Sequence, residues 1–183
     1  MAWEDVGFRV EPIDAPNVEE FVTAFGHVYA NGGVIVRSLR ATNETEFDHA
    51  LRSDTRGIDH VFRATLTCAS AVAALPELQI QMPLKRPPKF RWLSAFGVEG
   101  ELTHLLLVGG AYERFGGSVG RARRLSRRFM EALFGARLNC VGLAGSSSTP
   151  WTPWFFDIAW DATFVLYEPQ ARRVVLVCMT DTD

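Results

Sequence analysis

Four aspartates close to the end of the chain, Asp157, Asp161, Asp181 and Asp183, have the types and spacing to do chemistry together. Residues 162–167 and 173–180 are rich in Val, Leu, Phe and Tyr, and the proline-containing stretch 168–171 between them predicts a turn. With that turn centred near Pro169 and Gln170, an antiparallel ladder sets Asp161 opposite residues 178–180. It sets Asp157 opposite Thr182 or Asp183, so all four acids reach one end of a sheet. Clustered carboxylates can hold a hard cation such as Mg²⁺ or Ca²⁺, which prefers oxygen ligands. They can equally dock onto a basic partner, or stand as a solvated strand end with a polar tail. No EF-hand spacing accompanies them.

Tryptophans Trp151 and Trp154 lie just before, in a stretch broken by Pro150 and Pro153, and Trp160, Phe155 and Phe156 extend the aromatic run. Tryptophan serves both as an interface anchor and as a large core filler. Residues 118–134 place Arg121, Arg123, Arg124, Arg127 and Arg128 opposite an apolar stripe of Leu125, Phe129, Ala132 and Leu133. Such a face can grip phosphates. It can also pair with Glu113, Glu131 or the acids of the first 60 residues. The net charge of −2 and the absence of a known reader motif argue against nucleic acid as the partner.

Other groups point away from known catalytic schemes. Cys68, Cys140 and Cys178 are odd in number and far apart, which argues against disulfides and zinc and reads as buried thiols. His49 and His60 each follow an aspartate, but Gly57 interrupts the helix that would bring them together, and no H-E-x-x-H occurs. Residues 142–146 depart from the nucleophile-elbow pattern G-x-S-x-G. The glycine pairs 109–110 and 116–117 match neither phosphate-loop pattern. No cofactor is expected.

These groups need a framework. The chain has 183 residues, 48% hydrophobic and 22% charged, which suits one globular domain. Residues 7–13 alternate as a short edge strand does. Asn17 predicts the N-cap of a helix ending at Gly32 and Gly33, and residues 34–36 predict a strand. Asn43 and Glu46 have capping-box spacing at the start of a second helix. Residues 54–57 predict a break and residues 58–75 a third helix, with a strand over part of it as the rival. Residues 83–88 predict a loop, and residues 90–96 and 101–108 a second hairpin. A long helix follows Ser118 and stops at Gly135, and residues 144–153 predict a loop. Both faces of residues 174–179 are apolar, so that strand belongs in the middle of the sheet with helices on both sides. The fold class is therefore α+β: a single domain over residues 1–183, mostly antiparallel sheet, ending in a long hairpin.

Charge is segregated. Residues 1–60 carry net −6, residues 61–137 net +7 and residues 138–183 net −3. Such asymmetry can mark a docking surface. No apolar run is long enough for a membrane span, and the acidic start of residues 1–5 lacks a signal core, so a cytoplasmic location is expected.

The tail Trp154-Phe155-Phe156-Asp157-Ile158-Ala159-Trp160-Asp161, followed by a hairpin and ending Cys178-Met179-Thr180-Asp181-Thr182-Asp183, resembles the endings of small bacterial immunity proteins of polymorphic toxin systems. The resemblance implies a non-enzymatic inhibitor whose partner is a cognate toxin. The sites it leaves to test are the ones read from the residues: Asp157, Asp161, Asp181, Asp183, Trp151 and Trp154. A metal-dependent enzyme using the aspartates, and a nucleic-acid binder using the arginine helix, are the alternatives from other classes.

Overall fold

The computed structural model describes residues 3–135 and 138–183, which leaves Met1 and Ala2 of the acidic start outside the described residues. Six strands form one fully antiparallel sheet: β1 Phe8–Glu11, β2 Gly33–Ala41, β3 Arg91–Leu93, β4 Leu143–Ser147, β5 Ala162–Glu168 and β6 Arg173–Thr180. Their spatial order is β1-β2-β6-β5-β4-β3. The chain is an α+β domain, and β5 and β6 are the C-terminal hairpin that the sequence predicts. Ala162 pairs with Met179, which places Asp161 next to Thr180 in the same register.

The alternation of β6 divides the core into two layers. Val175, Val177 and Met179 pack with helices α1 (Pro16–Val28), α5 (Ala95–Val108) and α6 (Val119–Phe134). Val174, Leu176 and Cys178 point the other way, toward α2 (Glu44–Ser53), α3 (Ile58–Thr67) and α4 (Ala69–Ala74). All six side chains are fully buried. Burial of each large aliphatic side chain stabilises the fold by roughly 1.5–3 kcal/mol. That is why a strand apolar on both faces sits third in a six-stranded order.

Several caps agree with the sequence. The Asn43 side chain accepts from the Glu46 N–H at 3.3 Å, and Ser118 accepts from the Arg121 N–H at 3.2 Å. Gly135 ends α6 with φ +70°, a conformation that costs glycine nothing.

Other expectations are corrected. The hairpin expected over residues 90–108 is one short strand, β3, followed by a helix, α5. Ser94 caps that helix by accepting from the Gly97 N–H at 3.1 Å, and Val98, Leu102 and Leu106 fall on one stripe. Leu105 and Leu107 also pack against the core, so the apolar run looked continuous, as in a strand. The long helix expected over residues 58–75 breaks at Cys68, whose ψ of 143° is extended, and becomes α3 and α4. The first half of the expected 144–153 loop is β4. There Gly145 lets the Phe62 ring lie against the backbone, where any Cβ would collide with it. Helix α1 starts at Pro16 with Ala15 as its N-cap, ahead of Asn17, and β2 is longer than residues 34–36.

Candidate functional site

The register sets Asp161 beside Thr180 and Asp181 just past the end of β6, but β5 begins at Ala162, so Asp157 lies in a bend instead of opposite Thr182 or Asp183 as the ladder predicted. Asp161, only 2% exposed, accepts from the Asp157 N–H at 2.8 Å, the Ile158 N–H at 3.2 Å and the Thr180 hydroxyl at 2.6 Å. Asp157 has φ +64°, a left-handed conformation that Asp tolerates better than most residues. The Asp161 carboxylate thus pins a tight bend against the hairpin. Asp181, 1% exposed, accepts from the Asn31 N–H at 2.9 Å and the Ala111 N–H at 2.7 Å. It ties the end of β6 to the α1–β2 loop and to the loop after α5. Gly110 is required there, because a Cβ would meet both the Asp181 carboxylate and the Val28 carbonyl.

The two buried carboxylates are therefore occupied by backbone N–H groups and offer no surface to a partner. Among the described residues, no three His, Cys, Asp or Glu side chains converge as a metal site would require. Asp157 and Asp183 remain exposed, and Asp157 pairs with Arg86. Trp151 is buried, donating from Nε1 to Thr163 Oγ1 at 3.0 Å, whereas Trp154 is half-buried with its ring edge-on to Phe155. Of the six site residues named from the sequence, Asp157, Asp183 and Trp154 are within reach of another molecule.

Two clefts open at this end. One, about 220 Å³, lies between Gln81, Lys85 and Arg86 on one side and Trp151, Phe155 and Asp157 on the other. The second, about 380 Å³, is lined by Lys89, Arg91, His104 and the serines 146–148, with Asp161 at its edge. Arg91 pairs with Glu101. Lys85 and Lys89 are exposed, and among the described residues neither has a carboxylate within salt-bridge distance. Beside the clefts, Met82 is 57% exposed, Trp92 62% and Phe156 48%. Sequence reasoning placed residues 83–88 in a loop but did not connect their bases to the tryptophan segment. The signal available was the alternation of bases and prolines from Lys85 to Arg91; the spatial link needed the fold.

Burial, with Glu168 beside it, raises the Cys140 thiol above its ordinary range, and burial raises Cys178 further, so both are protonated at neutral pH and neither is an activated nucleophile. His60 pairs through Nδ1 with Asp54 at 2.7 Å instead of joining His49. On α6, Arg127 pairs with Glu131 at 2.8 Å, and Arg121 lies over the Phe115 ring at 6.0 Å. Arg123, Arg124 and Arg128 are exposed and have no carboxylate partner among the described residues. The pairing expected for this face is thus mostly absent.

Comparison of the chain with protein-family models, with curated proteins and with solved structures found no match.

Proposed function

We propose that this protein is a non-enzymatic binding protein, an immunity-type inhibitor that occludes a toxin, and that it meets its partner at the clefts beside the hairpin's end. The observation that carries the reading is the mixture found there. Exposed Met82 and Phe156 neighbour in sequence the residues that line the first cleft with Lys85 and Arg86, and exposed Trp92 follows Arg91, which lines the second with Lys89. Aromatic, Met and Arg side chains ringed by charge are the composition of a protein interface. Exposed cations outnumber exposed acids on this surface. The partner feature it fits is therefore acidic, the reverse of the basic cleft that four exposed aspartates would have suited. Steric cover with complementary charge blocks an active site without any chemistry in the inhibitor.

The test is co-expression with the toxin-like product of an adjoining gene. A stable complex is expected, weakened at least tenfold by Lys85→Glu with Arg86→Glu and, separately, by Phe156→Ser. Undiminished affinity in both variants, each shown to be folded by circular dichroism, would move the interface elsewhere. No complex at all would remove the toxin reading.

A second reading has its own observation, the unpaired Arg123, Arg124 and Arg128 on α6. If they hold nucleic acid, affinity must fall as salt rises, through counterion release. Binding that salt leaves unchanged contradicts it.

A further inference from the structure

We infer that the uncovered half of β2 is a strand-addition site for an extended peptide that alternates small apolar and basic residues. This site lies across β6 from the clefts, shares no lining residue with them, and does not depend on the reading above. Strand β2 pairs with β6 from Gly33 to Arg40, but β1 covers only Ser38 to Ala41. The shortfall has a local cause. Glu11 ends β1, and Pro12, with no N–H to donate, turns the chain toward α1.

Two backbone bonds define which groups face the gap. The Thr42 N–H donates to the Gly7 carbonyl on the β1 side, and the Ala41 N–H donates to the Arg172 carbonyl on the β6 side. In an antiparallel ladder these directions alternate, so the N–H and C=O groups of Val34 and Val36 point out of the sheet. The Val36 carbonyl accepts from Arg37 Nη1 at 2.9 Å. The Val34 N–H, the Val34 carbonyl and the Val36 N–H have no protein partner among the described residues. Exposed edges of this kind are templates for another strand.

The gap is also a groove of about 810 Å³, within the usual range of ligand pockets. Val18 and Val22 of α1 wall one side, and Ala73, Ala74 and Pro76 wall the other. Its charged lining is Glu11, Glu19 and Glu77 against Arg37 alone. Arg37 is already paired with Glu77, and Glu11 with Arg40, while Glu19 is exposed and has no cation within salt-bridge distance among the described residues. An incoming strand would gain main-chain hydrogen bonds from Val34 and Val36, apolar contact from the walls and a basic match at Glu19.

The probe is a fluorescein-labelled heptapeptide of alternating valine and lysine, titrated against the whole protein and read by anisotropy. Expected is saturable binding, at least tenfold weaker for the valine–glutamate counterpart and for the protein variant Glu19→Lys. N-methylation of one alternate set of peptide nitrogens should abolish binding, and methylation of the other set should leave it intact, because only one edge of an added strand meets β2. Backbone amide signals of Val34 and Val36 should shift on binding. Equal tolerance of both N-methylated sets, equal affinity for the glutamate peptide, or no binding at millimolar peptide would overturn the inference. Because the peptide carries the decisive change, a misfolded protein variant cannot mimic that result.

Discussion

Asp161 and Asp54 show how much structure a single carboxylate can hold. Asp161 accepts three hydrogen bonds while almost fully buried. Asp161→Ala would leave two backbone N–H groups and a hydroxyl unpaired, and each buried orphan costs roughly 1–3 kcal/mol. A loss of about 3 kcal/mol or more is expected in urea denaturation, and added Mg²⁺ or Ca²⁺ should not change the melting temperature of the parent protein. A cation-dependent rise in melting temperature would restore the metal reading. Asp54 makes a pH prediction. Burial alone would raise its carboxyl, but hydrogen bonds from Arg56, His60 and Trp3 outweigh that and hold it at about 2, below the ordinary 3.8. A carboxylate depressed by folding stabilises the native state above the unfolded value and loses that contribution as pH falls through the folded one. About 2 kcal/mol should therefore disappear between roughly pH 4 and pH 2. Asp54→Asn should flatten that part of the stability–pH curve, and an unchanged slope would mean that the hydrogen bonds contribute little.

Secondary-structure elements follow local chemistry where caps are present and depart from it where packing intervenes. Helices α2 and α6 begin at the residues whose side chains cap them, and both were legible for that reason. Helix α5 has the same device in Ser94, but a run of leucines and valine at 105–108 masked its helical period. Ser94→Ala is expected to cost about 1 kcal/mol and to raise amide exchange in the first turn of α5. No change in exchange there would show that packing against α6 alone sustains the helix. Helix α4 and strand β4 were not legible. The break at Cys68 has no glycine or proline to announce it, and β4 contains a glycine and two serines that read as loop.

At the scale of the molecule, β6 is shared by both core layers, so the layers should not melt apart. Leu176→Ala empties space on the α3 side and Met179→Ala on the α1 side. Each should cost roughly 2–5 kcal/mol, and each should lower one transition seen identically by near-UV and far-UV circular dichroism. Two separated transitions in either variant would mean that the layers fold independently. The charge segregation along the chain also has spatial consequences. Acids of the first 60 residues line the groove beside β2, whereas Lys85, Arg86, Lys89 and Arg91 line the clefts across the sheet from it.

The sequence by itself determined the fold class, the C-terminal hairpin, its central place and its register to within about two residues, with Asp161 opposite residues 178–180. Those follow from patterns of period two and from turn residues, which act over a few positions. Only the tertiary structure decided that Asp161 and Asp181 are buried, that Trp151 is core, and that bases from residues 85–91 surround the tryptophan segment. It alone left half of β2 without a neighbour on its β1 side. Burial and proximity depend on segments as distant as Asn31 and Asp181, 150 residues apart. No local pattern records which backbone N–H groups a carboxylate will meet there.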